Sequence, residues 1–219
     1  MRKTITIFLI SCLMLTVLSG CGASSKESVQ SGQSDAISYA EKYIDLSQYT
    51  HEENSDEYTS QALYDGEWAI RVNDTALTLG MSYQDVLNSG FKPNNDETAD
   101  KEINNSFITL FPFTDPQGES VLMGFTGEDG QTIKEGVLYG VSWTEKNTTA
   151  SVNIDGINAD ASIENILKQF GQPRRVKRME SGKDEQLFVQ YRLQGKETYL
   201  SFNIWPSTGE IAEMTINGV

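Results

Sequence analysis

The chain repeats itself at a constant offset of 80 residues, and this constrains its fold more than any other feature. When "GMSYQDVLNSGFKP" is laid over "DASIENILKQFGQP", Ser82 falls on Ser162, Val86 on Ile166, Leu87 on Leu167 and Pro93 on Pro173. The same offset puts Val72-Asn73 on Val152-Asn153 and Leu77 on Ile157, while Gly90 and Gly171 differ by one place. In each copy a serine stands where it can accept a backbone N–H and open a helix. Asp85 or Asn165 follows three residues later, in the position that completes a capping box. The apolar pairs Val86/Leu87 and Ile166/Leu167 face inward, and a glycine followed by a proline closes each segment.

Strand patterning surrounds these helices. "LFVQYRL", "YLSFNIW" and "EIAEMTI" alternate apolar and polar residues, and "PSTGE" supplies a turn between the last two. "FITLFPF", "SVLMGF" and "VLYGVSW" play the same parts upstream, separated by "TDPQGE" and "GEDGQ". The expected fold class is therefore α+β. Two tandem repeats, residues 61–145 and 146–219, would each consist of a short helical segment followed by an antiparallel three- to four-stranded sheet.

Ahead of the repeats lies a segment of different character. Arg2 and Lys3 precede an apolar run from Ile5 to Leu18, then Ser19, Gly20 and Cys21. This is the layout of a secretory signal, with an apolar run too short to span a bilayer comfortably. The ending Leu18-Ser19-Gly20-Cys21 resembles the lipobox of bacterial lipoproteins. That resemblance implies a signal peptide over residues 1–20, cleavage before Cys21 and a diacylglyceryl group on its thiol. Cys12 would leave with the signal, so no free thiol would remain for a disulfide, a metal or a nucleophile. Two acyl chains give stable attachment where one does not. The implied location is the extracytoplasmic face of the cell membrane.

Residues 21–60 are rich in Ser, Gln, Glu and Asp and read as a flexible tether. Within them "DAISYAEKYIDLSQY" permits a short helix with Ile37, Ala40 and Ile44 on one side. That segment has three open fates: disorder, docking on the domain, or contact with a partner. Loss of residues 1–20 takes Arg2 and Lys3, and no acid, from 17 basic and 31 acidic residues, leaving a formal charge of −16. Such a balance argues against nucleic acid and suits a soluble domain near a negatively charged membrane.

The helix pattern followed by a strand meander, carried best by "SIENILKQFGQPRRV", resembles the SmpA/OmlA-type envelope lipoproteins. It is also similar to the tandem-repeat β-lactamase inhibitory protein fold. The resemblance covers residues 66–219, with "SGFKP" in the first copy departing from the Gly-x-Pro ending. It implies protein–protein contact rather than chemistry, and it assigns no partner-contacting residue.

A search for catalytic groups returns little. The one histidine, His51, sits beside Glu52 and Glu53 in the expected tether and reads as a solvated residue. No Gly-x-Ser-x-Gly or phosphate-cradling loop is present. "SVNIDGINADAS" has Asn153, Asp155 and Gly156 at EF-like spacing, but Ser162 stands where the bidentate Glu belongs, so a turn explains it better. Trp68, Trp143 and Trp205 suit a core seam better than a sugar-binding face. "PRRVKR" gathers Arg174, Arg175, Lys177 and Arg178 in an otherwise acidic chain. These four are the candidate partner-binding residues, set against the blander reading of a charged, solvated edge strand.

The expectation is a non-catalytic surface lipoprotein that binds or scaffolds an envelope or extracellular protein. It would use no cofactor, no metal and no nucleic acid. The alternatives are capture of a glycan or small molecule, and a carboxylate-based hydrolase.

Overall fold

The computed structural model describes residues 34–51, 55–104 and 109–218. The signal segment 1–20, Cys21 and the beginning of the expected tether lie outside the described residues. Along the chain the strands are β1 (Thr50–His51), β2 (Glu57–Thr59), β3 (Ile70–Val72), β4 (Thr75–Leu77), β5 (Lys92–Pro93), β6 (Leu110–Thr114) and β7 (Ser120–Thr126). They continue with β8 (Val137–Thr144), β9 (Val152–Ile154), β10 (Arg175–Ser181), β11 (Asp184–Arg192), β12 (Tyr199–Ile204) and β13 (Ile211–Asn217). The helices are α1 (Asp35–Ala40), α2 (Tyr83–Asn88) and α3 (Ile163–Phe170).

Local signals act as the residues dictate. Ser162 accepts the Asn165 N–H at 3.3 Å, and Asn165 returns the bond by accepting Ser162 N–H at 3.1 Å. Ile163, Ile166 and Phe170 of α3 are buried, and Gly171, at φ 73°, stops the helix where a side chain would be strained. Ser82 likewise accepts the Asp85 N–H, but the Asp85 carboxylate takes the Ser82 hydroxyl at 2.6 Å instead of a backbone group. Of these two helices the reciprocal capping box therefore belongs to the second, where Asn165 Oδ1 accepts the Ser162 N–H.

The global arrangement departs from the expected one. The chain is mostly β and is not a pair of helix-plus-sheet repeats. β13 pairs with β8, so strands from both expected units run into one antiparallel sheet of order β1-β2-β10-β11-β12-β13-β8-β7-β6-β5. A second, three-stranded sheet, β4-β3-β9, draws two strands from before α2 and one from before α3. The physical reason is edge satisfaction. Two separate sheets would each end on an unpaired row of backbone N–H and C=O groups, and joining β13 to β8 removes both edges.

One face of the large sheet carries the core. Leu200, Phe202 and Ile204 of β12 are each 0 % exposed, alternating with half-buried Tyr199, Ser201 and Asn203. α3 covers this face through Phe170, whose ring lies 5.4 Å from Tyr191 and 6.2 Å from Phe202. α2 covers it through Tyr83, 5.4 Å from Phe125 and 6.3 Å from Phe113. α1 packs over β10 and β11, burying Ala36, Ile37 and Ala40, with Ile44 just beyond. Ser34 caps it, and the Glu185 carboxylate accepts the Ala36 N–H at 3.2 Å.

Docking is thus the fate of residues 34–49, and the tether expected over 21–60 does not extend through them. Ile37→Ala tests this directly. A docked helix predicts a loss of about 2–5 kcal/mol in urea unfolding, whereas a segment free of the domain would leave the midpoint unchanged.

Candidate functional site

β10 carries the basic run, so its surroundings come first. It is not an edge. β2 pairs with it, placing Thr59 opposite Arg175, Tyr58 opposite Val176 and Glu57 opposite Lys177. Alternation then splits the charges: Arg175 and Lys177 project to one face, while Arg178 shares the other with buried Val176. Arg175 Nη2 donates to Glu57 Oε2 at 2.7 Å. Its Nε lies 2.6 Å from Oε1, close enough for an ion pair but out of line for a hydrogen bond. Lys177 Nζ is 3.3 Å from the same carboxylate. Arg178 ties three acids together, with Glu185 at 2.9 Å, Glu180 at 3.0 Å and Asp56 at 3.4 Å. Arg174 makes no ion pair among the described residues; its carbonyl accepts the Ser60 N–H. The four cations are therefore not one patch, and acids of the same chain meet three of them.

The electrostatic consequence falls on Glu57. The hydrogen bond from Arg175, and then its charge and that of Lys177, hold this carboxyl below its ordinary value against the opposing effect of burial. Ser47 and Gln48 depress Asp45, and the Thr132 backbone and hydroxyl depress Glu135. All three displaced carboxyls are held ionised, the opposite of what a general acid requires.

The uncovered face of the large sheet is the second feature. Period-two alternation brings Gln190, Ser201, Thr215 and Ser142 into one transverse row, and Phe188, Asn203, Glu213 and Thr144 into the next. Several of these side chains bond to one another. Ser142 and Thr215 hydroxyls lie 2.7 Å apart, Thr215 donates to Glu213 at 3.1 Å, and Asn203 donates to the other Glu213 oxygen at 3.2 Å. Asn203 Oδ1 is buried without a partner. Phe188 is half-buried, with the Arg175 guanidinium 5.8 Å from its ring centre.

Trp205 closes the end of this face. It lines a hollow of about 160 Å³ with Thr144, Gln186, Ala212 and Glu213. It also lines a recess of about 430 Å³ with Asp35, Glu145, Asp184, Glu185 and Glu210. The other two tryptophans pack on the core; Trp68 stacks on Tyr64 with ring centres 5.5 Å apart. The tryptophans thus divide, and a core assignment for all three fails at Trp205. His51 is exposed, lies 4.5 Å from the Tyr58 ring and contacts the Ser55 carbonyl at 2.5 Å. Asp155 accepts from the Tyr64 hydroxyl and the Gln169 amide, a turn residue bound to its neighbours. Among the described residues no cluster of His, Cys, Asp or Glu is placed to hold a metal ion. No helix among them is long and apolar enough to cross a membrane.

Comparison with family models, curated protein sequences and solved structures gave no match.

Sequence reading weighed Trp205 for a ligand-binding face but favoured the core for it, and it did not say which residues make up the open face. The signal for the face was present in "YLSFNIW" and "MTIN", whose polar positions fall on one side of a strand. What those positions face depends on pairings between distant strands.

Glu57 makes stability pH-dependent with a definite sign. Its folded value is depressed, so its contribution is full above the ordinary 4.5 and is lost as pH falls below that through the folded value. Glu57→Gln should cost about 1 kcal/mol near neutrality, discounted for the partly exposed partners. The gap to wild type should close on acidification, as read by urea unfolding at a series of pH values; a gap that stays constant would refute the assignment.

Proposed function

We propose that this chain is a lipid-anchored envelope protein whose open sheet face docks a protein partner without chemistry. Anchoring rests on the Leu18-Ser19-Gly20-Cys21 resemblance to a lipobox, with Cys21 as the acylated residue. The docking reading rests chiefly on one observation: α1, α2 and α3 all pack on one face of the large sheet, while the other presents a polar surface, cross-bonded except at Asn203 Oδ1, with Phe188, Tyr199 and Trp205. Aromatic residues set among polar neighbours are typical of interface cores.

The Trp205 recess favours a second reading, capture of a glycan or small molecule. Its volume lies in the range of ligand sites, although its acidic lining is unlike their usual apolar walls.

Two measurements test the proposal. Cys21→Ser should release the protein from membranes, and retention at the wild-type level would refute the anchor. A photo-crosslinking residue placed at Ser201 on intact cells should yield a discrete protein adduct, while one at exposed Lys168 on α3 should not. The same adducts from both positions, or none from Ser201, would overturn the docking face. Loss of glycan or small-molecule retention in Trp205→Ala would then favour the second reading.

A further inference from the structure

The basic strand has an occupant, and the occupant is short. β10 runs for seven residues; among the described residues β2 pairs with Arg175, Val176 and Lys177, followed by a bond from Arg178 N–H to the Asp56 carbonyl at 3.0 Å. Beyond it stands Met179, 37 % exposed and one of the few large apolar side chains at the surface. Glu57 and Tyr58 are only half-buried and Thr59 is exposed, so the Tyr58 ring, packed against the core opposite Val176, is the one apolar contact of β2 that a replacing strand must reproduce. β1, the other neighbour of β2, holds it through two residue pairs. The fit is chemical all the same: an acid lies opposite Lys177 and chelates Arg175, and a second acid reaches Arg178.

We propose that β2 is an internal stand-in for an acidic extended segment of a protein partner, which displaces β2 and pairs along the whole of β10. This is strand addition: main-chain bonds supply affinity, and alternate side chains supply specificity. The partner carries acids at the positions of Asp56 and Glu57, and an apolar residue against Met179. It competes with a tethered strand whose effective concentration is on the order of millimolar. Pairing with Met179–Ser181, which lie beyond the span of β2 itself, is what offsets that advantage. The binding element here is the backbone edge of β10, whereas the docking reading rests on the side chains of the open face; the two meet at Arg175, and a strand-addition test by peptide and a crosslink at Ser201 report on them separately.

The probe is a fluorescent peptide of sequence Glu-Asn-Ser-Asp-Glu-Tyr-Thr-Ser, copying residues 53–60, and a control with Asn and Gln in place of its Asp and Glu. With the mature chain carrying Asp56→Asn and Glu57→Gln, the acidic peptide should bind about tenfold tighter than to wild type, by anisotropy. The control peptide should not bind, and adding Lys177→Gln should weaken the acidic one several-fold. Equal affinity for both proteins, or for both peptides, would overturn the proposal. A second readout needs no variant. In the wild-type chain, excess acidic peptide should speed amide exchange at Ser60, whose N–H donates to the Arg174 carbonyl at 2.7 Å. Unchanged exchange at saturating peptide would also overturn it. A wild-type dimer that the peptide dissociates would identify a second copy as the occupant and reject a separate partner.

Discussion

The pairing of β13 with β8 is the constraint on which the rest of the structure depends. Five consecutive residue pairs, from Glu213–Thr144 to Asn217–Gly140, turn two meanders into a single sheet. The seam tolerates little bulk at one end. A side chain at Gly140 would bring its first carbon to 3.0 Å from the Ile216 carbonyl oxygen, so glycine permits the approach. At its middle, Ser142 is fully buried and bonds to Thr215 across the strands. Because residues paired across the seam share a face of the sheet, Val141 and Ile216 face the helices together. A single continuous core under α1, α2 and α3 follows from that alignment.

With the inner edges joined, the outer ones are protected by different means. On one side the sheet ends in β5, two residues long and containing Lys92 and Pro93. A charged side chain and a residue without a donor both discourage further pairing. On the other side the chain returns to its own N-terminal region. β1 and β2 cover β10, and the acids of that segment neutralise its cations. Arg178 is the hub of this closure, since Glu185 accepts from it with one oxygen and from the α1 backbone with the other. Helix α1 and strand β2 are thereby fastened to the same two strands by one guanidinium and one carboxylate.

How much of this could be read in advance depended on distance along the chain. Ser82 and Ser162, the glycines behind the helices and the strands β6–β8 and β11–β13 were legible because each signal lies within a few residues. The fate of "PRRVKR" was not. Glu57, the carboxylate that neutralises Arg175, lies 118 residues away in a stretch whose composition suggests disorder. The same composition left the fate of α1 open: a short helix with Ile37, Ala40 and Ile44 on one side was readable, but not that Ala36, Ile37 and Ala40, with Ile44 just beyond, would be buried against β10 and β11. Periodicity identified the repeat, but local pattern does not say whether two sheets stay apart or merge. Pairing between β13 and β8 is a long-range choice, decided by what each edge would otherwise leave unsatisfied.

Arg175 connects the two surfaces of interest. Its guanidinium is held by Glu57 and lies over Phe188, the central aromatic residue of the open face. The polar rows beside Phe188 are already bonded to one another, and trading those bonds for new ones brings a partner little net gain. Affinity on that face must then come mainly from aromatic contact. A partner seeking Phe188 has either to stack on Arg175 or to move it, and moving it breaks the contact that seats β2. Conversely, a strand that replaces β2 but lacks an acid at the Glu57 position leaves Arg175 unheld and the Phe188 ring less covered. The two proposed sites therefore share one side chain, and filling either would bear on the other through the position of that guanidinium.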